Sequence, residues 1–205
     1  MATSRALAAG TARGRIVAAA ARVISARGVA DSRLIDVARA AGVSIGNVQH
    51  YFATREDLLA AAFDAVNDSS ISDWEAIASK EPGAPGRLSA MLRLAALGRP
   101  GQDESGWALW VEFWALAKRN ARFRAEYDII YAKWRGTLVR AVADGAESGQ
   151  FRPRDSVRDT VDRLTAVIEG LAIRSMLDPT EMPGERVFEL VVRAAELELE
   201  CSLPR

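Results

Sequence analysis

The chain has 205 residues, 49% hydrophobic and 26% charged, which is typical of a globular protein that can bury a core, and its formal net charge is zero. The single cysteine, Cys201, excludes an intramolecular disulfide, and the chain shows neither an apolar signal-peptide run nor about 18 uninterrupted apolar residues. We therefore expect a soluble cytoplasmic protein that has no membrane partner.

Apolar residues recur at three- and four-residue spacing along nearly the whole chain, and alternating β-branched runs are absent. This pattern predicts an all-α fold with about nine helices. The clearest breaks between helices fall at glycine and proline, in residues 80–86 and 98–101. The predicted helices cover about 12–27, 33–41, 45–52, 54–79, 86–98, 103–119, 121–148, 157–177 and 183–201.

Several of these boundaries carry a side chain that can cap a helix. Such a side chain accepts hydrogen bonds from N–H groups that the first turn of a helix leaves free. We expect this role for Ser32, Ser44, Thr54, Asn120 and Ser156. Gly28 and Gly42 lie where a left-handed backbone is wanted at a helix end, and Pro183 fits the first turn of the last helix.

The zero net charge hides an uneven distribution along the chain. Residues 1–52 carry seven arginines and two aspartates, a net charge of +5, so the remaining 153 residues carry −5. A basic segment on an acidic body indicates a part of the chain that faces nucleic acid. Chance variation along a helical protein is the alternative explanation.

Residues 34–52 have the pattern of a helix-turn-helix, in which a supporting helix holds a DNA-reading helix at a fixed angle. Ala38 and Ala41 allow the two helices to approach closely, and Gly42 supplies the turn. Val43 and Val48 fill the junction. The side chains left on the outer face are those of Ser44, Ile45, Asn47, Gln49 and His50. A generic helical hairpin is the alternative.

This stretch resembles the DNA-binding domain of the TetR family of regulators, in Ala41–Ser44, His50–Phe52 and Thr54–Leu59, with a resemblance over about residues 13–60. The resemblance implies that part of the third helix faces DNA and that Arg55 contacts a phosphate. Gln49 and Ile45 depart from the family pattern and suit an adenine edge and a thymine methyl. The predicted DNA-binding residues are Arg33, Ser44, Ile45, Asn47, Gln49, His50, Tyr51 and Arg55.

Eight aromatic residues lie within residues 107–134, four of them tryptophans. Two interpretations stay open: a core of large side chains, or a ligand pocket between helices. In a pocket, aromatic faces beside a carboxylate suit a cation such as a quaternary ammonium or a polyamine. The predicted ligand-binding residues are Trp107, Trp110, Glu112, Trp114, Tyr127, Tyr131, Trp134 and Glu169.

The same region resembles the BetI-like branch of the TetR family. The segments that carry this resemblance are Trp107–Trp114, Tyr127–Arg135, Gly149–Phe151 and Glu169–Leu171. Because that branch includes a choline-responsive regulator, the resemblance implies a cationic small-molecule effector.

Helices eight and nine present apolar stripes wider than one layer of neighbours needs, which favours a two-fold four-helix dimer interface. Packing within a single chain is the alternative. The predicted dimerisation residues are Leu164, Ile168, Leu171, Leu190, Val191 and Ala194.

We therefore predict a helix-turn-helix DNA-binding domain over residues 1–53 and a ligand-binding and dimerisation domain over residues 54–205, joined by helix four. The expected function is that of a homodimeric repressor released from double-stranded operator DNA by a small molecule. A transcriptional activator or a ligand-independent regulator is the alternative, and a small helical enzyme is a remote one. The lone histidine lacks the partners that a catalytic or metal site needs, and no cofactor is expected.

Overall fold

The computed structural model describes residues 10–97 and 107–205, and every regular element within them is an α-helix, as the sequence predicts. The predicted break at 98–101 and the predicted start of the sixth helix lie outside the described residues. Within the described residues, none of the helices combines the length and the apolar sequence that crossing a bilayer requires. The helices are α1 (Ala12–Asp31), α2 (Leu34–Ala41), α3 (Ile45–Tyr51), α4 (Arg55–Ala78), α5 (Gly83–Leu97), α6 (Trp107–Arg119), α7 (Ala121–Glu147), α8 (Val157–Leu177) and α9 (Gly184–Leu199).

The described residues form two compact units, each with its own apolar core. The first unit contains the described chain up to Ser69 together with Ala108–Ile130. The second unit contains the described part of residues 70–107 together with Tyr131–Arg205. The chain therefore passes between the units within α4, at the start of α6 and within α7.

The core of the first unit begins with the apolar stripe of α1. Ile16, Ala20 and Ile24 recur at four-residue spacing and are at most 1% exposed. They share a cluster with Val37 of α2 and Val48 of α3, so burial of one helix face by the other two holds the first three helices together.

Four of the five predicted helix caps are confirmed. Ser44 Oγ accepts a hydrogen bond from the Asn47 N–H at 3.2 Å, and Ser156 Oγ accepts one from the Asp159 N–H at 3.1 Å. Asn120 Oδ1 accepts from the Arg122 N–H at 2.9 Å. Thr54 forms a full capping box, because it caps the Asp57 N–H while the Asp57 carboxylate accepts from the Thr54 N–H at 2.9 Å.

The end of α1 differs from the prediction, which made Ser32 the cap of α2. Gly28 has the expected positive φ, 74°, but its ψ of 168° is extended, and the helix resumes after it as far as Asp31. This extra turn brings Ser32 close to the carbonyl of Gly28, to which its hydroxyl donates at 2.6 Å. The N-cap of α2 is Arg33, whose side chain makes no capping hydrogen bond.

In the second unit, α5, α8 and α9 pack against one another through a core that includes Leu88, Val161 and Val191, each at most 1% exposed. The helix α5 begins at Gly83, three residues before the predicted start. Its start is stabilised by Gln150, whose Oε1 accepts a hydrogen bond from the Ala84 N–H at 3.0 Å.

Candidate functional site

The outer face of α3 is exposed as the sequence predicts. The turn before it is made by Gly42, at φ 66° and ψ 36°, and Val48 anchors the helix in the core with no exposed surface. Ile45 and Tyr51 each keep 41% of their surface exposed. The polar groups of this face are therefore held on a short helix whose position is fixed by its buried side. The exposed residues of the face are Ser44, Ile45, Asn47, Gln49, His50 and Tyr51.

A second exposed surface of the first unit is a groove of arginines beside α2. Asp36 lies 3.5 Å from Arg27 and 3.6 Å from Arg39, so one carboxylate orients two guanidinium groups that both remain open to solvent. The predicted DNA-binding residue Arg33 is exposed in the same groove. Arg27 and Arg39 were not among the predicted DNA-binding residues, because the sequence showed only that they contribute to the positive charge of residues 1–52. The groove is lined by Arg27, Ala30, Asp31, Arg33, Ile35, Asp36 and Arg39.

Arg55, the predicted phosphate contact, has partners inside the unit. Its Nη2 donates hydrogen bonds to the carbonyls of Val29 and Ser32, the second at 3.0 Å. The side chain therefore joins the first turn of α4 to the end of α1, a structural role that the sequence did not reveal. Its contact with a phosphate stays a prediction.

Glu112, a predicted ligand-binding residue, contacts the same turn. Its carboxylate accepts a hydrogen bond from the Val29 N–H at 2.9 Å. The N–H of Val29 is thus held by α6 and its carbonyl by α4. We call these three residues, Val29, Arg55 and Glu112, the Val29 clamp.

An ion pair fixes the start of α7 on the start of α4. Arg122 Nη2 donates to the Asp57 carboxylate at 2.6 Å. This hydrogen bond, with those from Thr54, holds the pKa of Asp57 below its usual value. The capping box of α4 therefore also binds α7.

The eight predicted ligand-binding residues are divided between the two units. Trp110, Glu112, Trp114 and Tyr127 belong to the first, and Trp107, Tyr131, Trp134 and Glu169 belong to the second. In the second unit the Trp134 ring lies 5.2 Å from Trp74 and 6.2 Å from Tyr131, measured between ring centroids. We call Trp74, Tyr131 and Trp134 the aromatic cluster; its tryptophans are at most 6% exposed and pack in the core.

Glu169 is half-buried on α8 in the same unit. Burial disfavours the charged form of its carboxyl and raises its pKa to about 7. A carboxyl in this state ionises readily when a positive charge approaches, because the cation supplies the stabilisation that water does not.

A small cavity in the first unit was not predicted. The space between its lining side chains is about 10 Å³, room for a single water molecule. Trp110 is the one predicted ligand-binding residue among those that line it. The lining residues are Phe63, Val66, Asn67, Leu109, Trp110, Phe113 and Ile130.

Asn67 is the polar residue of this cavity. It is 2% exposed, and within the described residues neither its amide nitrogen nor its amide oxygen has a hydrogen-bond partner. Leaving one buried polar group unpaired costs about 1–3 kcal/mol, and the cavity beside Asn67 has room for one water molecule to pair with its amide. The sequence carried a signal for this site: Asn67 follows Leu59 and Phe63 at four-residue spacing, on the apolar face of α4.

Comparison with known proteins identifies the kind of molecule that carries these features. Residues 16–62 match the family described as bacterial regulatory proteins, tetR family, and residues 85–200 match the one described as BetI-type transcriptional repressor, C-terminal. The chain belongs to the TetR family of transcriptional regulators.

Relatives of this TetR-family chain support the assignment along most of its length. The HTH-type transcriptional regulator PksA of Bacillus subtilis (strain 168) is 28% identical over 185 residues, which cover 90% of this chain and 88% of PksA. The regulator BetI of Rhizobium meliloti (strain 1021) is 28% identical over 166 residues, which cover 79% of this chain and 76% of BetI. These families and relatives are transcriptional regulators and not enzymes.

Solved structures of similar proteins have the same fold. A transcriptional regulator from Saccharomonospora viridis, in complex with choline, has a TM-score of 0.82 at 25% identity, and the match covers 92% of this chain and 97% of that one. Reduced NemR of E. coli has a TM-score of 0.78 at 17% identity, covering 95% and 100% of the two chains, and shows likeness of fold alone.

The predicted dimerisation residues of this TetR-family chain fall into two groups. Leu164, Ile168 and Val191 are 1% exposed, so within the single chain they already belong to the core of the second unit. Leu171, Leu190 and Ala194 are half-buried and retain surface for a partner. A further exposed residue, Leu197, continues the stripe of Leu190 and Ala194 on α9 and keeps 57% of its surface exposed.

Proposed function

We propose that the protein is a repressor that binds operator DNA as a homodimer in the cytoplasm and leaves the DNA when a small molecule binds. The observation that carries this proposal is the exposed polar face of α3, held in place by the buried Val48. Asn47 and Gln49 have side-chain amides that suit base edges, and Ile45 suits a thymine methyl. Ser44, at the start of the helix, offers its hydroxyl and free N–H groups to a phosphate.

The arginine groove supplies the second part of a DNA interface. Arg27, Arg33 and Arg39 carry positive charge beside the helix-turn-helix and suit contacts to the phosphate backbone, which position a protein without reading sequence. Each phosphate contact releases condensed counterions, so the affinity for DNA falls as the salt concentration rises.

A binding experiment on the promoter region beside the protein's own gene tests this proposal. We expect Gln49→Ala to weaken binding to the operator about tenfold while binding to unrelated DNA changes little, because base contacts carry specificity. Arg33→Ala should weaken both kinds of binding. It should also reduce the slope of log affinity against log salt concentration by about 1, because one phosphate contact fewer releases about one counterion fewer. Arg152→Ala, which removes an exposed positive charge from the second unit, is the control. Absence of binding at low salt by the native chain would contradict the proposal.

A cationic amine is the effector that the second unit suits best. Trp107 and Tyr131 of this unit are half-buried, and the exposed part of an aromatic ring attracts a quaternary ammonium. Glu169 supplies a carboxyl that ionises beside a positive charge. The regulator from Saccharomonospora viridis, which has a similar fold, is in complex with choline. The proposed release follows if the amine binds the DNA-free form more tightly than the DNA-bound form.

Titration with choline, spermidine and putrescine tests the choice of effector. We expect at least one amine to change the tryptophan fluorescence at millimolar concentration and to release the protein from its operator. Glu169→Gln should weaken that response about tenfold, and Glu147→Gln, on the exposed end of α7, should not. No response to any of the three amines would contradict a cationic effector but leave the DNA-binding proposal standing.

A further inference from the structure

The arginine groove also contains acidic side chains, although a carboxylate beside DNA is repelled by the phosphates. Asp36 is one of them, and its Oδ1 lies 3.5 Å from Arg27 Nη1 and 3.6 Å from Arg39 Nη1. We propose that Asp36 is a positioning residue of the DNA interface, which raises the affinity for DNA by holding Arg27 and Arg39 where phosphates reach them. This inference rests on the proposed function, because it deepens the role given there to the groove.

The ion pairs leave both guanidinium groups available to a second partner. Asp36 has 17% of its side chain exposed, whereas the side chains of Arg27 and Arg39 are 57% and 76% exposed. A guanidinium group carries five N–H donors, and in each arginine Nη1 is the nitrogen nearest to the carboxylate. The negative charge is therefore less accessible to DNA than the two positive charges that it pairs with.

The carboxylate lowers two costs of presenting these arginines to DNA. Two guanidinium groups that lie close together repel each other, and a carboxylate next to both of them offsets that repulsion. A long exposed side chain also loses rotamer freedom when a phosphate fixes it, and a side chain that an ion pair already holds has less freedom to lose. Because Arg27 lies on α1 and Arg39 on α2, Asp36 brings together groups from two helices.

Two other roles of Asp36 predict different results. If it acted on DNA only through its own negative charge, it would weaken binding, so removing that charge would strengthen binding. An acidic residue in the first turn of α2 also stabilises this helix through the helix dipole. That role affects the stability of α2 but gives no reason for the number of phosphate contacts to change.

Fluorescence anisotropy with a short labelled duplex of unrelated sequence tests the proposal, because phosphate contacts do not depend on sequence. Over about 50–200 mM salt, we expect Asp36→Asn to weaken binding at least threefold. The slope of log affinity against log salt concentration should also fall by about 1–2, as expected for the loss of one or two phosphate contacts. Asp36→Glu keeps the carboxylate and should recover most of the lost affinity.

Asp31→Asn is the matched control. Asp31 lines the same groove and is exposed, but it forms no ion pair with any of the described residues. Its carboxylate therefore acts on DNA through repulsion alone. We expect Asp31→Asn to bind the duplex as tightly as the native chain or more tightly, in contrast to Asp36→Asn.

Removal of both arginines separates positioning from helix stability. In the Arg27→Ala/Arg39→Ala double variant, adding Asp36→Asn should no longer lower the affinity, because only the repulsion between the carboxylate and DNA is left to remove. A contribution of Asp36 to helix stability alone would lower the affinity equally in both backgrounds and leave the salt slope unchanged.

The results that overturn the proposal concern Asp36 and leave the proposed function intact. One is an Asp36→Asn variant that binds the duplex as tightly as the native chain or more tightly. The other is a loss of affinity that persists in the double variant. If the native chain binds no duplex at low salt, the proposed function fails and the role of Asp36 fails with it.

Discussion

Val29 is the residue at which three helices of the first unit meet. Its carbonyl accepts a hydrogen bond from Arg55 of α4, and its N–H donates to Glu112 of α6. The residue before it, Gly28, interrupts the helical backbone of α1. A single turn of chain therefore connects the helix-turn-helix to the helices that follow it, through hydrogen bonds that are specific in direction.

Gly28→Ala should destabilise the protein by about 1–3 kcal/mol. At φ 74° and ψ 168° the backbone is in a region that side chains strongly disfavour, and a Cβ atom would lie 2.9 Å from Glu112 Oε1. Denaturant titration of the purified variant measures the loss. Gly136→Ala is the control, because there a Cβ atom meets only the end of Arg140 at 3.7 Å and the helix gains stability. Equal stability of the two variants would contradict this reading of Gly28.

Glu169→Gln should remove a pH dependence of stability. Because burial raises the folded-state pKa of Glu169 to about 7 from an ordinary 4.5, its protonated form stabilises the fold fully below about pH 4.5. That stability is lost as the pH rises through 7. After allowance for solvent screening, the loss is on the order of 1–2 kcal/mol. Urea titrations at pH 5 and pH 8 should show that the native chain loses this stability at pH 8 and that Glu169→Gln does not. Glu147→Gln should lose it as the native chain does. If the free energies of unfolding of Glu169→Gln and the native chain differ by the same amount at both pH values, the prediction is wrong.

At the level of helices, the sequence predicts features that depend on residues close together in the chain, and it does not predict features that depend on contacts between distant residues. The caps at Ser44 and Thr54 and the turn at Gly42 follow from interactions within four residues, and the structure confirms them. Ser32 was assigned wrongly because the extra turn of α1 competes for its hydroxyl.

The unforeseen parts of the site depend on pairs distant in sequence. Glu112 and Val29 are separated by 83 residues, and local periodicity contains no information about such a pair. The cavity arises in the same way, because α4, α6 and α7 all contribute to its wall. The exposed face of α3 could be predicted, since it needs only the helix period and one buried valine.

Glu112→Ala should weaken DNA binding by loosening the connection between α6 and α1. The variant leaves the Val29 N–H, in a partly buried position, without its acceptor, which costs about 1–3 kcal/mol of stability. We expect a several-fold loss of operator affinity in fluorescence anisotropy and a lower thermal midpoint. Glu112→Gln keeps a neutral acceptor at the same place. Its losses of operator affinity and of thermal midpoint should be less than half of those of Glu112→Ala. If the two variants behave alike, the charge of Glu112 matters and its hydrogen bond to Val29 does not.

At the scale of the whole molecule, the features described above are divided between the two compact units. The first unit includes part of α6 and α7 as well as the helix-turn-helix, so the arginine groove, the Val29 clamp and the Asn67 cavity all belong to one compact body. The half-buried stripe on α9 belongs to the other. We propose that dimerisation and amine binding use the second unit and that DNA binding uses the first.

Leu197→Glu should convert the proposed homodimer into a monomer. Leu197 keeps 57% of its surface exposed and follows Leu190 and Ala194 on one face of α9, so a carboxylate there would have to be buried without a partner when two copies pack together. Light scattering after size-exclusion chromatography should give a mass near 22.2 kDa for the variant and twice that for the native chain. Operator affinity should fall at least tenfold, because each monomer contacts only one half-site. Ile129→Glu is the matched control, since Ile129 is 58% exposed but lies on α7 in the first unit. A dimeric Leu197→Glu variant would place the interface on another surface.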